Sequence, residues 1–243
     1  MAEIRVLIAA AGAGTRAGLP YPKTLHPVQG RPILLRQIAL LADIDARPTV
    51  VVSPQGRDPI AQCLREAGVS ADLVVQPEPT GMGDAVLRFR DAPAFDDAVH
   101  VLLVWGDIPL LQPATVAAVR SAHLAHDNDF TFPTRHVEAA YTRVTRGPDG
   151  EVRALEETRE ASADPAPGER DIGMFLFRKA PVFALLDERL PGALGRSTGE
   201  HGFLYLVRHL VERGYKVEAL PVASELDLIS LNSLSDLDGV AHG

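Results

Sequence analysis

The sequence predicts an α/β fold, in which a mostly parallel mixed sheet lies between helices and carries one β-hairpin excursion. Three observations predict it. Short apolar runs alternate with segments of helical spacing through the first half of the chain. The first run, Ile4 to Ala10, opens directly into a glycine-rich loop. Two alternating runs, Tyr141 to Arg146 and Glu151 to Leu155, flank the turn formers Gly147-Pro148-Asp149-Gly150.

Each element has its own signal. Ile4 to Ala10 is a short run, apolar but for Arg5, which suits a strand buried on both faces. Ile33 to Leu41 carries apolar residues at helical spacing, and Thr49 to Ser53 is a β-branched run. Asp58 to Ala67 reads as a helix with Asp58 as N-cap and Gly68 as its stop. Leu73 to Val75 is a short strand, and Val99 to Trp105 the most apolar strand of the chain. Ala114 to Asp127 is a helix after Pro113, and Phe130 begins another short strand. After the hairpin, Ser162 to Glu169 reads as a surface loop and Ile172 to Arg178 as a buried strand. Helices follow at Pro181 to Glu188 and Phe203 to Glu212, a strand at Lys216 to Pro221, and a last short helix at Ser233 to Val240. No repeat and no long linker interrupts residues 1–243, so a single domain is expected.

Composition narrows the class. The 243 residues are 46% hydrophobic and 23% charged, too apolar for a disordered chain. Cys63 is the only cysteine, which excludes a disulfide scaffold. The net charge of −8 speaks against a general nucleic-acid binder, although a local basic pocket is compatible with it. No run of eighteen apolar residues occurs, so no membrane helix is expected. The first residues lack the pattern of a signal peptide, and a cytoplasmic protein is expected.

The loop Ala10-Ala11-Gly12-Ala13-Gly14-Thr15-Arg16 follows the first strand. Glycines there let backbone N–H groups approach a ligand, and exposed N–H groups form an anion-binding concavity. A phosphate-bearing ligand beyond the carboxyl ends of the strands fits this placement. The P-loop spacing is absent, because Ala17 stands where its second glycine belongs. The dinucleotide fingerprint matches Gly12 to Ala17 in letters, but Pro20, Pro22, Pro27 and Pro32 prevent the helix that it requires. What remains is a long ordered loop that delivers two cations, Arg16 and Lys23.

Gly12-Ala13-Gly14-Thr15-Arg16 with Leu19-Pro20-Tyr21-Pro22-Lys23 resembles the G-x-G-T-R…P-K signature of the sugar-1-phosphate nucleotidyltransferase superfamily. Gln76-Pro77-Glu78-Pro79-Thr80-Gly81-Met82-Gly83-Asp84-Ala85 resembles the nucleobase segment Q…G-T-G-H-A. Trp105-Gly106-Asp107-Ile108-Pro109-Leu110 resembles the metal motif G-D-x-P-L. The likeness is greatest to the uridylyltransferase domain of bifunctional N-acetylglucosamine-1-phosphate uridylyltransferases (a MobA-like NTP transferase domain) and runs from Ile4 to about Leu237.

The resemblance implies a Rossmann-like three-layer sandwich, with a nucleotide-binding half at about 1–112 and an acceptor-binding half at about 113–243. It implies that the backbone at Ala10, Gly12 and Gly14 wraps the nucleotide, and that Gln76 and Gly81 read the base. Arg16 and Lys23 would be the catalytic cations on the triphosphate, with Asp107 and Asn232 the ligands of a Mg2+ cofactor. Glu157, Asp171 and Arg143 would face the acceptor. The implied partners are a nucleoside triphosphate, UTP or CTP, and a phosphorylated small molecule, a sugar 1-phosphate foremost; neither nucleic acid nor membrane is among them. The oligomeric state is unreadable. The chemistry suits the residues: magnesium takes oxygen ligands and keeps substrate phosphates in its shell.

Several residues depart from the pattern, three of the changes where the acceptor should sit. Asp84 replaces a histidine, Asp171 an asparagine, and Gly199-Glu200-His201-Gly202-Phe203-Leu204-Tyr205 replaces G-E-Y-Y-x-T-D. An ionised Asp171 only accepts hydrogen bonds, so an acceptor other than N-acetylglucosamine 1-phosphate is expected. No acetyl transfer is expected either. Two alternatives stay open: the same chemistry on a non-sugar phosphate or phosphonate, and a noncatalytic nucleotide-binding regulator. Several residues carry no functional expectation. His123 and His126 read as a solvated helix face, Cys63 as a small core residue, Arg88 and Arg90 as helix surface, and Trp105 as core or pocket wall.

Overall fold

A computed structural model describes residues 3–12, 18–158 and 165–237. In chain order the strands and helices are β1 (Ile4–Ala10), β2 (Pro27–Val28), β3 (Arg31–Pro32), α1 (Ile33–Leu41), β4 (Thr49–Val52), α2 (Pro54–Glu66), β5 (Asp72–Val75), α3 (Met82–Leu87) and β6 (His100–Trp105). There follow α4 (Pro113–Ala125), β7 (Phe130–Ala140), β8 (Thr142–Arg146), β9 (Val152–Glu157), β10 (Ala166–Asp171), β11 (Met174–Arg178), α5 (Lys179–Glu188), α6 (Leu206–Glu212) and β12 (Val217–Leu220).

One eight-stranded mixed sheet runs β10-β7-β11-β6-β1-β4-β5, with β12 also paired to β7. The half built from β6, β1, β4 and β5 is parallel throughout. β11 joins antiparallel to β6 and carries the sheet into the second half of the chain. Alternate residues of each strand face two separate cores. Val6, Ile8, Val50, Val52, Leu102 and Val104 pack beneath α1, α2 and α4. Leu7, Val51, Leu103, Phe175 and Phe177 face α3, α5 and α6. The result is the three-layer α/β architecture, with β8 and β9 as the expected hairpin.

The register fixes where ligands can bind. Ala9 pairs with Trp105 and Ala10 with Val52, so β1, β4 and β6 end side by side. Their following loops therefore converge on one crevice, the usual binding place in an open α/β sheet.

Four local expectations are corrected. Ser53, not Asp58, caps α2: its Oγ accepts the Gly56 N–H at 3.1 Å, and Pro54 occupies the first helical position. The strand begun at Phe130 has eleven residues, because its second half pairs antiparallel with β10. That partner occupies Ala166–Asp171, within the segment expected to be a loop. Pro167 and Gly168 obscured it; the register shifts between Ala166 and Gly168, and a bulge on an edge strand tolerates proline.

The fourth correction is His123, which is 1% exposed. Its Nε2 lies 3.0 Å from His100 Nδ1 and its Nδ1 lies 2.9 Å from Thr131 Oγ1. His126 remains exposed beside Glu218. Burial, reinforced by neighbouring His100 and Arg178, lowers the His123 pKa to about 4. The unfolded chain therefore binds more protons than the native one between about pH 6.5 and 4. Stability present at neutral pH is lost across that window as pH falls, by at most about 3 kcal/mol from this group. Urea unfolding at pH 7 and 4.5 should show the loss, and His123→Leu should flatten the slope even though it lowers stability at pH 7.

Candidate active site

The crevice is organised by a contact between two loops. Lys23 follows β1 and opens a 3-10 turn, Lys23–Leu25, and Asp107 lies two residues beyond β6. Lys23 Nζ donates to Asp107 Oδ2 at 2.5 Å, between side chains that are 22% and 14% exposed. Gly12 is adjacent: a Cβ built on it would stand 3.7 Å from Lys23 Cε. Ala10, at the end of β1, is buried.

Helix α1 holds the turn that carries Asp107. Gln37, 1% exposed, donates to the Trp105 and Ile108 carbonyls at 2.9 and 3.0 Å. Arg36 donates to the Pro109 carbonyl at 3.0 Å. A second brace brings in the C-terminal segment. The buried Asp227 carboxylate accepts from the Gln112 N–H and the Thr115 hydroxyl, both at 2.7 Å, at the start of α4. The Leu231 N–H then donates to the Asp107 carbonyl at 2.8 Å, and Lys23 Nζ reaches the Leu231 carbonyl at 3.4 Å. Asn232 therefore stands next to this junction, its Nδ2 donating to Ser230 Oγ at 2.9 Å.

Asp107 Oδ1 is buried and has no hydrogen-bond partner among the described residues. A buried carboxylate oxygen left without a donor is costly unless something else meets it. A hard cation fits that oxygen, and Asn232 follows Leu231, whose N–H reaches the Asp107 carbonyl. Among the described residues no group of three His, Cys, Asp or Glu side chains forms a metal cluster. An ion here would rely on one carboxylate, one amide and the substrate's own oxygens, the habit of magnesium.

On the β5 side, Gln76 and Gly81 touch one another. Gln76 is 5% exposed, and its Nε2 donates to the Gly81 carbonyl at 3.0 Å. Gly81 has φ +112°, and an added Cβ would stand 2.3 Å from the His201 carbonyl oxygen, so only glycine fits. Beside this segment opens a cavity of about 520 Å3, whose wall includes Met82, Trp105, Glu157, Glu200, His201 and Tyr205. Trp105 is thus pocket wall as well as core. Its ring packs over Gly173, where φ is +79° and a Cβ would stand 2.7 Å from the indole.

The acceptor residues divide. Glu157, the last residue of β9, is on the cavity wall. The expectation for Asp171 is revised by its surroundings. It is 1% exposed, its two oxygens accept from Thr142 Oγ1 at 2.6 Å and the Gly173 N–H at 2.7 Å, and burial pushes its carboxyl pKa up. It joins β8 to β10 and does not line the cavity. Arg143 is also outside the cavity lining; it is exposed and lies along Gly168 of β10. Arg16 and Gly14 lie outside the described residues.

The structure adds residues that no sequence signal marked. Arg170 stacks on the Tyr141 ring, 4.0 Å from its centroid, and donates to the Tyr141 hydroxyl at 2.5 Å. Burial raises the Tyr141 pKa against the pull of Arg170, and the charges of Asp171 and Asp107 raise it further. Tyr141 thereby borders the Asp107 junction. Tyr141 begins the first run of the predicted hairpin, whereas Arg170 could not have been found without the fold.

Known proteins show the family and the fold. The family model described as the MobA-like NTP transferase domain matches residues 6–215. The chain belongs to that family. It is 31% identical over 244 residues to the "Bifunctional protein GlmU" of Leifsonia xyli subsp. xyli, covering 98% of this chain and 49% of the relative. It is 32% identical over 242 residues to the protein of that name from Kineococcus radiotolerans, covering 97% and 48%. The chain thus spans about half the length of the curated relatives it matches. Among solved structures, a Bacillus anthracis protein assigned as a glucose-1-phosphate thymidylyltransferase, crystallised with sucrose, superposes with a TM-score of 0.77 at 17% identity. That match covers 98% of this chain and 94% of the other. HddC from Yersinia pseudotuberculosis gives 0.70 at 18% identity, covering 98% and 97%. Both show the shared fold, a mixed sheet with its loops gathered at one end.

The packing of Trp105 yields a test of the cavity wall. Gly173→Ala should cost about 1–3 kcal/mol through positive-φ strain and overpacking against the indole. The emission of Trp105, the chain's single tryptophan, should shift with it. A melting curve and a fluorescence spectrum read both.

Proposed function

We propose that this nucleotidyltransferase-family protein transfers a nucleotidyl group from UTP or CTP to a sugar 1-phosphate and releases pyrophosphate. The observation that carries the proposal is the Lys23–Asp107 contact at the ends of β1 and β6, beside a cavity walled by Glu157. The relatives' names and those of the structural neighbours point to the same class of chemistry.

The nucleophile would be an acceptor phosphate oxygen, already anionic at neutral pH. It attacks the α-phosphorus in line, an oxygen–phosphorus bond forms, and the bond to the β-phosphate oxygen breaks. No proton needs to be removed. The obstacle is repulsion between two polyanions, so catalysis reduces to charge and positioning.

Lys23 is suited to that task. Its ammonium has three donors, of which Asp107 and the Leu231 carbonyl engage two, leaving one for a phosphate oxygen. Asp107 and Asn232 would hold magnesium, which when bound would supply charge neutralisation at the triphosphate. Gln76 and Gly81 would form the edge that meets the base, and the carbonyl of Gly81 is already fixed by the Gln76 amide. Glu157 would accept hydrogen bonds from hydroxyls of the acceptor. Arg16 is proposed from the sequence motif alone. The burial of Asp171 removes a direct carboxylate–sugar contact from this scheme.

The test is pyrophosphate release measured with each of the four ribonucleoside triphosphates against a panel of sugar 1-phosphates, alcohol phosphates and phosphonates. Turnover with a uridine or cytidine triphosphate and a sugar 1-phosphate is expected, abolished by EDTA and restored by Mg2+. Lys23→Ala should reduce turnover at least ~100-fold, the scale of losing one transition-state donor, while the protein stays folded by circular dichroism. A near-wild-type rate would remove Lys23 from the mechanism, and binding without turnover in every combination would overturn the enzymatic reading.

A further inference from the structure

The nucleotide-side segment and the acceptor-side wall meet through one fully buried side chain. His201 comes from the stretch between α5 and α6, and its side chain is 0% exposed. Its Nδ1 lies 2.9 Å from Asp84 Oδ1 at the start of α3, and its Nε2 lies 3.2 Å from the Tyr205 hydroxyl. Arg189 donates to the same Asp84 oxygen at 3.0 Å. The backbone repeats the link. The His201 N–H donates to the Thr80 carbonyl at 2.7 Å, and the Gly83 N–H donates to the His201 carbonyl at 2.9 Å.

The hydrogen-bonding order follows from the partners. Asp84 is held below the usual carboxylate range: hydrogen bonds from His201 and Thr80 and the charge of Arg189 outweigh the opposing effect of burial. An ionised Asp84 accepts from Nδ1–H, which leaves Nε2 as acceptor of the Tyr205 hydroxyl in the neutral ring. Burial keeps that phenol protonated, with its pKa raised to about 12. Gly202, next to His201, extends the connection into the wall by donating to the Ala193 carbonyl at 2.7 Å. The Thr80–Asp84 segment is thus hydrogen-bonded directly to the cavity wall between Ala193 and Tyr205.

We propose that His201 is a positioning residue: gripped by Asp84 and Tyr205, it ties the base-side segment to the acceptor-side wall, so that nucleotide bound at the first orders the second. The inference rests on the nucleotide-binding role assigned above to Gln76 and Gly81. Coupling of this kind is reciprocal, so an acceptor that orders the wall also tightens nucleotide binding.

Hydrogen–deuterium exchange of the full chain tests it, with and without UTP or CTP plus Mg2+. In the wild-type protein nucleotide should protect both 76–84 and 193–205. In Asp84→Asn and His201→Gln the protection of 76–84 should persist while nucleotide-dependent protection of 193–205 falls at least twofold. A purely structural role would loosen 193–205 equally with and without nucleotide, so the difference between the two states is the readout. The swap Asp84→His with His201→Asp, which restores an acid–imidazole pair, should recover part of the lost protection. Should the first variants fail to fold, Tyr205→Phe deletes a single hydroxyl and should give a smaller loss of the same kind. Nucleotide protection confined to 76–84 in the wild type, or unchanged at 193–205 in the variants, overturns the tie and leaves the nucleotide site intact. Absence of protection at 76–84 with any nucleotide overturns the nucleotide site itself, and the tie with it.

Discussion

A lysine and an aspartate 84 residues apart share a hydrogen bond at the ends of adjacent parallel strands, and the arrangement of the crevice depends on that meeting. Drawing two charges partly out of water is costly, and their attraction repays it only with good geometry and further partners. Here the partners come from three directions. Helix α1 pins the Asp107 turn through Gln37, Asp227 ties the late chain to α4, and Leu231 closes on the Asp107 carbonyl. Among the described residues the remaining Asp107 oxygen has no donor.

The two cores divide the labour. The parallel half of the sheet supplies a rigid edge, since Val6, Ile8, Val50, Leu102 and Val104 are all at or near zero exposure. The other face is built largely of aromatic rings. Phe130, Phe175, Phe177 and Phe203 stand with centroids 5.4–5.9 Å apart and anchor β7 and β11 against the chain leading into α6. Phe203 lies two residues from both His201 and Tyr205, so this cavity wall grows from that aromatic core. Pocket and core are continuous, which gives His201 a firm support from which to hold the segment bearing Gly81.

Much of the first half was legible because its signals are local. A buried parallel strand must be apolar on both faces, and β1 and β6 read that way without reference to any partner. The proline-rich stretch after Gly12 spoke against a dinucleotide-type helix, and the first α-helix among the described residues begins at Ile33. The second half was harder. β10 carries Pro167 and Gly168, and it is a strand because β7 offers an edge, not because its residues prefer one. His123 reads as a polar residue on a helix, and only its partners His100 and Thr131 make it a core group.

The local pattern of apolar runs and turn formers was enough to predict an α/β architecture, because periodicity and backbone chemistry act over a few residues, and the ordered motifs carried the resemblance that implied the family and the roles of Lys23 and Asp107. Partner choice was a different matter. Asp171 spends its oxygens on Thr142 and a backbone amide, and Asp84 spends one of its own on a histidine 117 residues away. Such pairings are settled by strand register and layer packing, where distance in space has no fixed relation to distance along the chain, so the sequence could name these carboxylates without saying whom they face.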